Sequence, residues 1–220
     1  MDYQSKERPI LFNGEMVRAI LDGRKTQTRR VVKPQPPEGR VWVLEQDHRP
    51  PFSVCMDDQL EKFPGPYEWK TWHCPYGVPG DRLWVREAIR RKPAVTGRWS
   101  GATYLADLTP VAGKGPMGSY CGRALVNWKW KRDVLPSIHM PRWASRIMLE
   151  ITDVRVERVQ DISEDNAKAE GVDCMTWINH PGAEPSYRVF FWILWDSINA
   201  KRGLGWDVNP WVWVVEFQAR

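Results

Sequence analysis

One short segment concentrates side chains suited to an anionic or nucleotide-like ligand. Gly23-Arg24-Lys25-Thr26-Gln27-Thr28-Arg29-Arg30 sets one lysine, two hydroxyls and three arginines directly behind an amphipathic stretch. Cations of this kind neutralise phosphates, and hydroxyls hydrogen-bond to their oxygens. The same residues are also compatible with a solvated basic edge strand. A second run, Gly80-Asp81-Arg82-Leu83-Trp84-Val85-Arg86-Glu87, places two arginines and an indole side by side. Arg82 and Arg86, with Arg24 and Arg30 of the first segment, are candidates for phosphate or base-edge contacts, and Trp84 for base stacking. Arginines on an exposed strand are commonly solvated charges, so each needs a ligand-facing position to count.

These candidates need elements to hold them. Arg8 to Asn13 reads as a short first strand running into a helix that begins near Gly14 or Glu15. Met16, Val17, Ile20 and Leu21 fall at helical spacing, and Gly23 sits where a helix C-terminus ends, which leaves Lys25 in the turn that follows. Thr26, Thr28 and Arg30 then share one face of an extended strand, with Gln27 and Arg29 on the other. In the second run, Leu83 and Val85 alternate with Arg82, Trp84 and Arg86, the pattern of a half-buried strand.

Ile147 to Val159 is strongly β-like, with Leu149 and Ile151 in one phase and Val154 and Val156 in the other, so a bulge or bend is expected near Thr152-Asp153. Ser163 caps a short helix with Glu164 and Asp165 in its first turn, and Gly171 ends it. Glu170 falls in the last turn, where a carboxylate is mildly unfavourable, on a face shared with Asn166 and Ala167 that points inward. Tyr187, Phe190, Phe191, Leu194, Trp195 and Ile198 form a helical stripe whose expected job is core packing. Trp211 to Phe217 reads as a largely buried final strand. Thr103 to Ala106 is a further short strand, followed by a Gly-rich loop from Gly113 to Gly122.

Length points to one domain over residues 1–220. Nine of the eighteen prolines lie between Pro34 and Pro79, so this stretch is expected to be loop-rich, with at most a strand at Val41 to Leu44. Short strands, small helices and long loops describe an α+β protein, plausibly a small curled barrel. No apolar run reaches the roughly 18 residues that span a bilayer, and no apolar h-region follows the N-terminus, so no membrane association is expected and the chain is assigned to the cytoplasm. The net charge of +5 favours polyanionic partners. Cys55, Cys74, Cys121 and Cys174 form no CxxC pair and read as free thiols; with His73 and His139 they match no compact zinc module, so neither metal nor cofactor is expected. Fourteen tryptophans supply core or groove walls, and Trp128-Lys129-Trp130-Lys131-Arg132 has either the character of a base-stacking surface or that of an alternating edge strand.

The order of motifs resembles the ASCH family, small PUA-like β-barrel proteins. The matching segments are Gly23 to Arg30, Gly80 to Val85, Ile162 to Glu170, and Trp213 to Phe217. The whole chain is similar to the longer ASCH-containing proteins of phages and prophages, through Pro79 to Glu87 and Ile138 to Arg146. The resemblance does not reach a Pro-rich insertion at about 34–76 or a loop-rich one at about 93–135. It implies a barrel with flanking helices, the host cytoplasm for a phage-encoded chain, and a possible N4-acetylcytidine amidohydrolase working through Lys25, Thr28 and Glu170. It equally implies RNA or DNA binding without catalysis, since other relatives bind or cleave RNA. In an amidohydrolase, either Thr28 attacks the acyl carbon with Lys25 as its base, or Glu170 activates a water.

Overall fold

A computed structural model describes residues 4–36, 72–91, 102–111, 132–173 and 186–220, with the backbone alone at 41–44 and 53–56. In chain order the elements are β1 (Glu7–Leu11), α1 (Gly14–Leu21), β2 (Gln27–Val31), β3 (Val41–Leu44), β4 (Ser53–Met56), β5 (Arg82–Arg86), β6 (Ile89–Arg91), β7 (Ala102–Tyr104), β8 (Val134–Leu135), β9 (Met148–Arg158), α2 (Glu164–Ala169), α3 (Tyr187–Asn199) and β10 (Trp211–Ala219). This is a mixed α+β protein, as its pattern of short strands and helices predicts. No closed barrel is found among the described residues. The Gly-rich loop and the Trp128 to Lys131 run lie outside them. No helix among them is long and apolar enough to cross a membrane.

The chain divides into two compact units, each assembled from separated stretches. In the first (Met1–Gly23, Arg82–Leu149, Ala219–Arg220), β1 pairs parallel to β5 with Pro9 beside Trp84. Leu83 and Val85 are buried while Arg82, Trp84 and Arg86 are half-buried, the alternation their spacing predicts. Helix α1 starts because Asn13 Oδ1 accepts from the Met16 amide at 2.8 Å. It ends at Gly23, whose φ of +72° is costly for a residue with a Cβ. Strand β6 lies between β7 and β8, and beneath it Ile89, Tyr104, Leu135 and Met140 form a core.

In the second unit (Arg24–Asp81, Glu150–Gln218), β10 lies between β9 and β2, and β2 runs antiparallel to it with Arg29 opposite Val214 and Arg30 opposite Trp213. Val212 and Val214 pack with Ala167 of α2 and with Phe191 and Trp195 of α3. The phase slip in β9 is present: Leu149 and Ile151 are buried, Thr152 is exposed, and burial resumes at Val154 and Val156. Strands β3 and β4 pair antiparallel within the Pro-rich stretch.

Helix α3 keeps its expected stripe except at its end: Tyr187, Phe190 and Leu194 are partly buried against the core that holds Phe191 and Trp195. Phe191, Trp195 and Asn199 are its buried positions, whereas Ile198 is 49% exposed. Asn199 takes the buried place at the helix end, donating Nδ2 to the Trp195 carbonyl at 3.2 Å. Trp213, 1% exposed, should therefore weigh far more than Ile198. Trp213→Ala is expected to lower stability by about 3–5 kcal/mol and Ile198→Ala by under about 0.5 kcal/mol in urea unfolding; equal effects would contradict this assignment of the core.

Candidate functional site

Two chain reversals bring Lys25 and Glu170 together across 145 residues of sequence. Ser163 Oγ accepts from the Asn166 amide and starts α2, and Gly171, at φ +75°, turns the chain out of it. That leaves Glu170 on the helix end facing the segment that enters β2. The two segments join as a short antiparallel bridge, Lys25 opposite Glu170, with the Thr26 amide donating to the Ala169 carbonyl at 2.9 Å.

Lys25 Nζ donates to the Glu170 main-chain oxygen at 2.7 Å and to its Oε2 at 2.9 Å. Both side chains are buried, at 2% and 5% exposure. Burial holds the Lys25 ammonium below the ordinary lysine range; the Glu170 carboxylate opposes that fall, and Arg30 and Arg29 add to it. Lys25 thus holds its proton less firmly than a solvated lysine, beside a carboxylate within hydrogen-bond reach.

Arg29 completes the cluster. Its Nη1 donates to Glu170 Oε1 at 3.2 Å and its Nη2 to Glu157 Oε2 at 2.8 Å, while its guanidinium lies 5.8 Å from the Phe191 ring centre. From Glu157 the charges continue outward, Arg155 Nε donating to Glu157 Oε1 at 2.6 Å and Arg155 Nη1 reaching Asp153 and Glu216. Gln27 shares the Arg29 face of β2 and donates to the Asn166 carbonyl at 2.8 Å.

Of the residues singled out from sequence, Lys25 and Glu170 are in direct contact. Thr28 is buried on β2 in the phase opposite to Gln27 and Arg29, on the face it shares with Arg30. Arg24 Nη1 lies 3.5 Å from the Gly171 carbonyl, beside the bridge. Arg82, Trp84 and Arg86 belong to the other unit. There the Trp84 ring carries two guanidinium groups, Arg86 at 5.4 Å and Arg142 at 5.6 Å from its centre. Arg86 also donates to the Ile138 carbonyl, and Arg142 pairs with Glu7 at 2.7 Å. An indole covered in this way orients arginines rather than offering a bare stacking face.

Sequence reasoning missed Arg29 and Glu157 as members of the cluster. It also missed a network in the first unit, where Arg146 donates to both oxygens of buried Glu87 at 2.8 and 3.0 Å and to Asp107 at 2.7 Å. Burial pushes the Glu87 carboxyl up against the pull of Arg146, while hydrogen bonds from Arg146 and Thr109 hold Asp107 down at about 2. Among the described residues no three His, Cys, Asp or Glu side chains are grouped to hold a metal.

No protein-family model, curated protein or solved structure matches this chain. A functional reading accordingly rests on the geometry of Lys25, Glu170 and Arg29 together with the order of sequence motifs.

Because folded Lys25 releases its proton before the unfolded chain does, the unfolded state binds more protons over the interval ending at the ordinary value of 10.5. Stability gained from this group rises with pH across that interval. Lys25→Met is expected to flatten the rise in denaturant titrations run at successive alkaline pH values; a variant with the wild-type slope would show that Lys25 does not titrate early.

Proposed function

We propose that this protein is a hydrolase of amide-acylated pyrimidine nucleosides, of the N4-acylcytidine kind. The observation that carries the reading is the 2.9 Å contact between Lys25 Nζ and Glu170 Oε2 at a buried bridge. A desolvated amine and a carboxylate in contact form an acid–base pair, which is what cleavage of an unactivated amide requires. The motif resemblance to ASCH amidohydrolases supplies the substrate class.

The route needing only these two groups is attack by water. Glu170 takes a proton as the water oxygen adds to the acyl carbon. The carbon–nitrogen bond then breaks, and Lys25 gives a proton to the departing cytosine amine. The proton on Glu170 passes to Lys25 across their contact, restoring both groups; one water is consumed, and a carboxylic acid and an amine are formed. Attack by Thr28 is the competing route, and its position on the opposite face of β2 argues for the water path. A second reading, nucleic-acid binding without catalysis, draws on the arginines gathered at Trp84.

Chromatography with mass detection of N4-acetylcytidine and an acylated oligonucleotide tests these readings. Wild type is expected to release the acyl group, Glu170→Gln to lose about 10²–10⁴-fold in rate, and Thr28→Ala to keep turnover without any acetylated protein. Failure of wild type to cleave either substrate would overturn the hydrolase. Steeply salt-sensitive oligonucleotide binding would then favour the second reading.

A further inference from the structure

Arg29 is an expensive residue to bury. Its side chain is fully inaccessible to solvent, and its Nε has no hydrogen-bond partner among the described residues. A buried donor left bare is destabilising, and an apolar residue of similar size often serves stability as well as a buried ion pair does. What the guanidinium does supply is a fixed fork. One arm holds Glu170 Oε1 at 3.2 Å, on the oxygen that Lys25 does not take, and the other is anchored on Glu157 Oε2 at 2.8 Å. Glu157 is in turn held by Arg155 at 2.6 Å on its remaining oxygen. Glu170 and Glu157 therefore each have both oxygens engaged, and the exposure of the side chains grows outward, from 0% at Arg29 to 21% at Glu157 and 28% at Arg155.

We infer that Arg29 is a positioning residue of this site, which locks the Glu170 carboxylate in one rotation through the buttress Glu157–Arg155 so that Oε2 stays on Lys25. The inference rests on the hydrolase reading for its kinetic consequence and stands on hydrogen-bond geometry for its structural one. Lysine in place of Arg29 retains a cation but offers a single point of attachment in place of a fork that reaches two carboxylates. A carboxylate free to rotate misplaces the proton acceptor, which costs rate without weakening substrate binding.

The test uses the full chain with Arg29→Lys and, because that site is fully buried, also the less buried Glu157→Gln. Two quantities are read: kcat and KM for N4-acetylcytidine, and the nitrogen-15 NMR signal of the Lys25 side chain. In folded variants kcat is expected to fall about 10–100-fold with KM within about threefold, and the Lys25 signal to shift as its contact with Glu170 loosens. Wild-type kcat in either folded variant, or a fall expressed in KM alone, would overturn the positioning role. Should wild type cleave no acylcytidine, the hydrolase reading fails by itself. The Lys25 signal then decides: a shift in both variants upholds the lock, and an unchanged signal in either removes it.

Discussion

The buried contact between Lys25 and Glu170 is the most exacting arrangement that the second unit has to hold. Two ionisable side chains removed from water tolerate little geometric error, since their mutual attraction offsets the loss of hydration only at hydrogen-bond distance. Here that distance follows from backbone: the bridge at Lys25 and Glu170, the amide of Thr26 on Ala169, and a left-handed glycine at Gly171. Beneath it, Ala167, Phe191, Val212 and Val214 pack in one cluster and keep α2 against the sheet. Arg29 stands opposite Val214 on β2, so the apolar packing and the charge cluster share one strand face.

In the first unit, Arg146 is surrounded: its fork reaches both oxygens of Glu87, Asp107 and Thr109, and its guanidinium lies 3.9 Å from the centre of the Tyr104 ring. One cation there serves two carboxylates, with Asp107 held at about 2, a state that fastens β5 and β7 surroundings to the segment after Met140. In the second unit two cations converge on one carboxylate, and one of them is a lysine whose burial favours losing its proton. The first arrangement divides one guanidinium between two carboxylates; the second sets a guanidinium and a lysine on one carboxylate, with the lysine proton held less firmly by burial.

Much of the fold was legible because burial follows local periodicity. The alternation in β5 and the phase slip in β9 were visible in the order of apolar residues, and the ends of α1 and α2 in Gly23, Ser163 and Gly171. The inward turn of Glu170 was visible from its helix face; that it works together with Lys25 was expected through the motif resemblance alone, since nothing local encodes contact between residues so far apart in sequence. Arg29 was obscured for a different reason. Within a run of cations it has the appearance of a solvated charge, and only the approach of Glu157 from β9 reveals a buried fork. Ile198 was misplaced because the last turn of α3 turns its neighbour Asn199 inward, where a hydrogen bond to the Trp195 carbonyl satisfies the amide.

The central claim is that the charges at Lys25, Arg29 and Glu170 are retained for chemistry and not for stability. The most direct measurement is the unfolding free energy of a variant in which all three become apolar (Lys25→Met, Arg29→Met, Glu170→Leu), set beside Glu170→Leu alone. The single change leaves buried Lys25 without its carboxylate and Arg29 with Glu157 alone, and is expected to cost about 3–5 kcal/mol, whereas the triple change is expected to match wild type or exceed it by about 1–4 kcal/mol. A triple variant destabilised as much as the single one would contradict the claim, because the cluster would then be part of what holds the fold together.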